Sequence, residues 1–487
     1  MSIILDRWRP IVFCFILACI FGSLLLATSF LYENWFPLDN ASFQIIGRGW
    51  VEGKIPYVDL WDQKGPLIYF INALGYWLTG NQTGIFLIEI LMFAWSFILI
   101  FLFYRRWYNS LWATMLLVIT MFHLSQIVEG GNMVEEYILP LLLLAFFHIW
   151  NWADCAITKQ KIEHPSKAAF LYGFILSASL LTRLTNTIGI CLAICVILCC
   201  LIYYKKWRNL IENVLTFLTG FFVLALPFII YFYCNNGLYE MIYGTLIFNY
   251  EYLNNSVREP FTWYAIISTL LAYVGTYGLA VVSLILVVID KNYRNFHMMW
   301  LLISSVTSFY FLNTFLFGHY AIIAVPYFAI MIVESKRLFH LCLEKKEIQL
   351  LLRGCALLFV FVMLSNGGYQ FSQTLDNRNL SDDNSFEKEI LPIVGDKKSD
   401  LVCYNLFPSY YLRYQITPEC RFFALQGWYA SFSESIRPMI KESFEQKPPA
   451  FLLINGSSSE TLIKDFLENK YKPICETSLG TLFKRNY

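Results

Sequence analysis

The sequence predicts a polytopic α-helical membrane protein of about eleven spans, followed by a small extracytoplasmic α/β domain. Three observations carry that expectation. Hydrophobic residues make up 57% of the 487-residue chain and charged residues only 15%, where an ordinary soluble domain carries roughly 25%. With so little charge the chain cannot cover itself in water, and lipid must be its solvent. Long apolar runs recur along the chain, with basic residues gathered in alternate connections. From Tyr369 onward the charge density rises and short β-type runs replace the long apolar ones. The net charge is +1, so no global field points to nucleic acid or another polyanionic partner.

A helix needs about 20 apolar residues to cross the hydrocarbon core. The candidate spans are Ile11–Leu31, Gly84–Tyr104, Leu111–Ile127, Tyr137–Trp152, Ala168–Leu184, Thr187–Tyr204, Val214–Tyr233, Trp263–Val288, Met298–Leu316, Ala321–Val333 and Leu352–Leu364. The first follows Arg7 and Arg9, exceeds a signal-peptide core and lacks a small-residue cleavage site, so it reads as a retained signal-anchor helix. Alternate connections hold Arg7, Arg9, Arg105, Arg106, Lys159, Lys161, Lys167, Lys205, Lys206, Arg208, Lys291, Arg294, Lys336, Arg337, Lys345 and Lys346. The opposite connections hold only Arg48, Lys54, Lys64, Arg183 and Arg258. By the positive-inside rule the N-terminus is cytoplasmic, and an odd number of spans of the inner membrane leaves the C-terminal domain outside. Leu67–Leu78 is apolar but short for a crossing, and its Tyr69, Tyr76 and Trp77 suit an interfacial helix.

This divides the chain into a transmembrane body, residues 1–368, with a first outer loop at 32–82, and an extracytoplasmic domain, residues 369–487. In that domain Asp400–Tyr404, Arg421–Leu425, Ala450–Ile454 and Thr481–Phe483 read as strands, with helices at Ser433–Phe444 and Ser459–Leu467. Cys403, Cys420 and Cys475 lie there too, and the sequence does not choose a disulfide pair among them.

Ionisable residues crowd the first outer loop, with Glu33, Asp39, Arg48, Glu52, Lys54, Asp59, Asp62 and Lys64. Phe36-Pro-Leu-Asp39 begins a helix, so Asp39 is either a helix cap or a general base able to take a proton from a hydroxyl. Lys64 precedes Gly65-Pro66, which starts a helix at the proline; a lysine there suits a phosphate, or else it snorkels to headgroups. The loop Glu129-Gly-Gly-Asn-Met-Val-Glu135-Glu136 is either a divalent-cation site using Glu135 and Glu136 or a solvated acidic loop. Arg183, at the outer end of the fifth span, is a natural phosphate partner. His319 and Tyr320 open the tenth span, either structurally or against substrate. Glu89 reads as a buried, satisfied carboxylate and Glu334 as a charge at the cytoplasmic end.

The loop motif Gly53-Lys-Ile-Pro-Tyr57, followed by Asp62-Gln-Lys64-Gly-Pro66-Leu-Ile-Tyr69, resembles the lipid-dependent membrane glycosyltransferases of the GT-C superfamily. The branch it is most similar to is family 39, which includes protein O-mannosyltransferases and bacterial aminoarabinose transferases. Asp39 matches the acidic residue of that family's first outer loop, and Lys64-Gly-Pro66 matches its Lys-Pro-Pro-type motif. Asn40 and Gly65 depart from the pattern, which puts metal and acceptor specificity in doubt. His319–Pro326 resembles a late segment of the family. The resemblance implies inverting transfer of a sugar from a polyprenyl-phosphate donor to a lipid, glycan or protein acceptor on the outer face. Asp39 would then be the base, with Lys64 and Arg183 on the lipid phosphate and Asp59, Asp62, His319 and Tyr320 lining the substrate site. A transporter or flippase, or a surface-polysaccharide polymerase or ligase, is the rival reading.

Overall fold

The computed structural model of the chain describes residues 2–255, 262–312, 317–342, 346–377, 384–456 and 462–486. Arg258, Lys345, the last four residues of the Met298–Leu316 run and the first three of the Ser459–Leu467 helix lie outside the described residues.

The first half contains α1 (Ser2–Leu25), α2 (Leu38–Val51), α3 (Pro66–Thr79), α4 (Thr83–Arg105), α5 (Ser110–Ser125), α6 (Val134–Thr158), α7 (Ser166–Leu180), α8 (Ile188–Tyr203) and α9 (Trp207–Cys234). Then follow α10 (Leu238–Ile242), α11 (Phe248–Asn255), α12 (Trp263–Ala272), α13 (Val274–Ile289), α14 (Arg294–Leu312), α15 (Val325–Leu341) and α16 (Lys346–Asp376). The C-terminal segment adds α17 (Leu391–Val394), α18 (Ser409–Arg413), α19 (Gln426–Phe432), α20 (Ile436–Gln446) and α21 (Lys464–Lys470), with β1 (Leu401–Tyr404), β2 (Phe451–Ile454), β3 (Tyr471–Thr477) and β4 (Gly480–Arg485).

Each of the eleven apolar runs falls on a helix. Among the described residues six helices are long and apolar enough to cross a membrane: those of α1, α4, α6, α8, α9 and α16. The eighth run is broken. Ile266–Ala272 and Val274–Ile289 meet at 77°, and together they make a seventh candidate span. Gly275, just past the break, lets α13 lie close against α15, because a Cβ there would stand 2.6 Å from the Ala324 carbonyl oxygen.

The chain forms two compact units. One comprises Met1–Leu31, Phe86–Leu226 and Glu259–Asp376. Lipid tails are as apolar as leucine, so its helices gain little from merely hiding hydrocarbon and depend on close packing. The α7–α9 crossing shows how. A Cβ on Gly173 would stand 1.9 Å from the Phe217 carbonyl oxygen, and one on Gly220 would stand 2.0 Å from that of Phe170. Each helix therefore rests its backbone on the other's glycine. Elsewhere large rings fill the space, as where Phe103 and Phe147 stack with centroids 4.0 Å apart.

The other unit comprises Tyr32–Ile85, Pro227–Arg258 and Asn377–Tyr487. Here α2 lies against α3 at Gly47, where a Cβ would stand 2.7 Å from the Ala73 amide nitrogen. The four-stranded sheet has the order β1-β2-β4-β3. Strands β1 and β2 are parallel, with Leu401 opposite Phe451, and β4 runs antiparallel to both β2 and β3.

Two details differ from the sequence expectation. Arg421–Leu425 is not a strand, although Phe422, Phe423 and Ala424 are buried. Side chains take up its backbone instead: Gln426 donates to the Phe422 carbonyl at 2.6 Å and Tyr411 to that of Phe423 at 2.9 Å. Strand β3 was not expected, because Lys472, Pro473 and Glu476 break its apolar pattern. Such residues suit an edge strand, which β3 is. Cys403, Cys420 and Cys475 are free thiols.

The α7–α9 crossing makes a direct prediction. Gly220→Ala must push a backbone carbonyl away, because no flexible side chain stands in its path. The variant should melt several degrees below the wild type in detergent, whereas alanine at Gly354, with nothing within 4 Å, should not.

Candidate functional site

The loop that follows α2 folds around Lys64. Its helix α3 begins at Pro66 as the motif predicts, with Gly65 as the preceding cap residue. Proline suits this position because its missing N–H is one of the unpaired donors of a helix start. The Lys64 main chain is held on both sides. Tyr57 donates its hydroxyl to the Lys64 carbonyl at 2.6 Å, and the Lys64 N–H donates to the Tyr69 hydroxyl at 3.1 Å. Both tyrosines are fully buried. Tyr57 adopts φ +68°, a left-handed conformation that costs a large side chain of order 1 kcal/mol. Its burial and its bond to Lys64 offset that cost.

Asp39 is the second residue of α2, within the first turn. It is not the helix cap, since Pro37 occupies that position. Its carboxylate lies 3.4 Å from the Lys64 ammonium, with the lysine side chain 14% exposed and the aspartate 31%. Solvent or a ligand therefore reaches the carboxylate more easily than the amine. An anion near a helix N-terminus is also favoured by the unpaired N–H groups of the first turn.

Asp62 is buried behind this pair and 5% exposed. It accepts hydrogen bonds from Tyr69 at 2.9 Å and Tyr429 at 3.1 Å. Burial, followed by the charge of Asp39, pushes its carboxyl above the usual range, while Lys64 and Tyr69 pull it down. Asp59 does local work: one oxygen accepts the Ile55 N–H at 2.7 Å and closes the turn after Gly53.

The C-terminal segment closes around the same loop. Arg48 donates to Thr417 at 3.0 Å and to the Ile416 carbonyl, and Lys54 pairs with Glu419 at 3.3 Å. The Trp61 backbone N–H donates to the Arg421 carbonyl at 2.9 Å. The Trp61 ring lies within about 5 Å of those of Phe248, Phe422 and Tyr429. The tail thus helps to build the loop that carries Asp39 and Lys64.

The remaining expected residues cluster within the other unit. Arg183 pairs with the buried Glu135 at 3.1 Å and lies over the Tyr320 ring, 3.1 Å from its centroid. Glu129 accepts the Gly318 N–H at 2.6 Å and pairs with the His319 Nδ1 at 2.6 Å. Burial pushes the Glu129 carboxyl up, but the His319 contact and the Gly318 and His319 N–H groups hold it below the usual carboxylate range. Glu129, Gly130, Gly131 and Asn132 all have positive φ, an unbroken left-handed run. The buried Glu89 anchors it by accepting from the Asn132 N–H and from Thr28. Glu136 faces inward as well and is 1% exposed. Glu135 and Glu136 each keep one buried oxygen without a hydrogen-bond partner. Among the described residues no three His, Cys, Asp or Glu side chains converge as a metal site.

The sequence reading gives Tyr57, Tyr69 and Tyr429 no part in the site, and it sets Tyr69 at the headgroups, whereas the residue is fully buried. The first two stand inside the loop motif, so their spacing around Lys64 was a usable signal. Tyr429 is 367 positions from Asp62, and no local pattern could have paired them.

No protein-family model matches the chain, and no curated protein does. Solved structures do. The crystal structure of ArnT from Cupriavidus metallidurans bound to undecaprenyl phosphate superposes with a TM-score of 0.55, at 10% identity, covering 98% of this chain and 98% of that one. The Archaeoglobus fulgidus oligosaccharyltransferase tethered to an acceptor peptide is a weaker likeness, at a TM-score of 0.45 and 11% identity, covering 99% of this chain and 75% of that one. The archaeal oligosaccharyltransferase AglB from Archaeoglobus fulgidus, in complex with an inhibitory peptide and a dolichol-phosphate, gives 0.44 at 11% identity, covering 98% and 74%. The chain shares the fold of that ArnT structure, and its long apolar helices are those of a membrane-embedded protein.

The tyrosine clamp predicts an order of damage. Tyr69→Phe leaves both the Lys64 N–H and an Asp62 oxygen short of a partner, at a cost of about 1–3 kcal/mol for each buried group so stranded. Tyr429→Phe strands only the Asp62 oxygen. Thermal unfolding in detergent should therefore show the larger loss for Tyr69→Phe.

Proposed function

We propose that the protein is a glycosyltransferase that moves a sugar from a polyprenyl-phosphate carrier to a hydroxyl of a lipid, glycan or protein acceptor. The GT-C fold supports the reaction class, and the Asp39–Lys64 pair is the observation that carries the chemistry. A carboxylate open to solvent and an ammonium fixed by its own main chain stand side by side. They are the two charges that an in-line sugar transfer needs.

In this reading the lipid phosphate takes up the Lys64 ammonium and draws it away from Asp39. A carboxylate relieved of its cation is a stronger base. Asp39 then accepts the proton of the acceptor hydroxyl as that oxygen bonds to the anomeric carbon. The bond from the anomeric carbon to the phosphate oxygen breaks on the opposite face, and its electron pair leaves with the lipid phosphate. Lys64 compensates the charge that develops there, and such fixed compensation is commonly a large catalytic term. Asp62 acts through Tyr69, which bonds to both Asp62 and the Lys64 main chain. Arg183 and His319 with Tyr320 are proposed as further substrate contacts. The asymmetry of basic residues supports a cytoplasmic N-terminus and an extracytoplasmic site on the inner membrane.

One observation favours the rival reading of a transporter or flippase: the 77° break between α12 and α13, since transporters bind cargo at interrupted helices. A sugar-transfer assay with purified protein and a lipid-linked donor separates the two. Asp39→Asn should lower kcat by about 10²-fold or more, with membrane insertion unchanged. Lys64→Ala should raise KM for the lipid donor and lower kcat. Full activity of Asp39→Asn would remove the base. Movement of the lipid-linked sugar across proteoliposomes without transfer would favour the rival.

A further inference from the structure

A cavity with several charged side chains in its wall lies where α4 runs into α5 and α15 ends. It measures about 310 Å³ and is lined by Trp107, Val333, Glu334, Lys336, Arg337 and His340. Five of these lie on α15 at spacings that bring Val333, Lys336, Arg337 and His340 to one face of the helix. Trp107 comes from the connection after α4.

The cavity is prepared for an anion. Arg337 is held in place by aromatic faces, its guanidinium carbon 4.3 Å from the Tyr293 ring centroid and 5.4 Å from that of Phe296. Lys336 reaches the Trp107 carbonyl, and its ammonium lies 4.6 Å from the Tyr108 ring centroid. Two donors remain unfilled. The Trp107 Nε1 and the Arg337 Nη1 are buried without a hydrogen-bond partner. Glu334 offsets part of the positive charge, and its Oε2 is buried without a hydrogen bond. Trp150 donates to the other oxygen at 3.4 Å, while His297 and Arg337 lie at ion-pair distances of 3.4 and 3.5 Å without a hydrogen bond. Two cations therefore line the cavity beside one carboxylate, and the Trp107 and Arg337 N–H groups lack a hydrogen-bond acceptor. Buried donors left this way cost about 1–3 kcal/mol each, and a ligand rich in acceptor oxygens removes that cost. The fork of a guanidinium suits phosphate above other anions.

We propose that this cavity binds a phosphate group, supplied by the headgroup of an anionic phospholipid of the cytoplasmic leaflet. Basic pockets between spanning helices on the cytoplasmic side take up such headgroups. The leaflet assignment rests on the orientation proposed above, and the phosphate site does not.

The test uses the full-length protein, purified and delipidated in detergent. Phosphatidylglycerol should be retained in native mass spectra and should raise the melting temperature, while phosphatidylcholine should do neither. The double variant Lys336→Gln/His340→Gln, at the more accessible side chains, should retain about fivefold less phosphatidylglycerol or lower still. Arg337→Lys, which keeps the charge but loses the fork, should also retain less. Protection by millimolar inorganic phosphate in place of lipid would support the phosphate site and assign it a soluble ligand. Equal retention by wild type and variants, with no response to phosphate, would overturn the site. Orientation is read separately. His340→Cys should react with an impermeant thiol reagent in inside-out vesicles above the wild-type background, and labelling only in right-side-out vesicles would overturn the leaflet assignment alone.

Discussion

The loop that carries the proposed chemistry depends on the two hydrogen bonds to the Lys64 main chain. Tyr57 and Tyr69 are buried, and each needs a partner for its hydroxyl. The Lys64 carbonyl and N–H are those partners. Tyr69 passes the constraint on to Asp62, and Asp62 passes it on to Tyr429. The position of the ammonium is therefore set by the backbone beneath it. A flexible lysine loses much rotamer freedom when it binds an anion, and fixing the base of its stem reduces that loss.

The chain between Asn377 and Tyr487 belongs to the same physical problem. Its segment Ile416–Arg421 accepts hydrogen bonds from Arg48 and Trp61 and an ion pair from Lys54. The parallel pairing of β1 with β2, and the helices between them, present that segment beside the loop. A polar loop of this length has little apolar surface with which to order itself. The tail supplies the missing partners, and Trp61 supplies the buried area.

What the sequence made legible follows periodicity and local chemistry. The eleven apolar runs located α1, α4 to α9 and α12 to α16, the eighth run covering both α12 and α13, and Gly65-Pro66 located the start of α3. Asp39 and Lys64 stood out as charges beside a membrane surface, and the structure brings them together across 25 positions of sequence. Asp39 is no cap because the helix starts at Leu38 with Pro37 in the cap position. The break at Tyr273 was not legible, since hydropathy runs on through it. Nor were Tyr429 as a partner of Asp62 and His319 as a partner of Glu129, which come from distant sequence. The Arg421–Leu425 run misled because burial in a packed core and burial in a sheet leave the same apolar signature.

The left-handed run Glu129–Asn132 has a bearing on motion. Loops that open and close over a ligand usually do so at residues free to pass between backbone wells. Here four residues share one uncommon well, and Glu89, Thr28, Gly318 and His319 hold the charges and N–H groups around them. At Gly131 even a methyl group would meet Leu26 and Glu89. This connection is a rigid corner of its helix bundle. Any rearrangement that admits a substrate to that unit must be carried by other segments, while Glu129 and His319 keep their places through it.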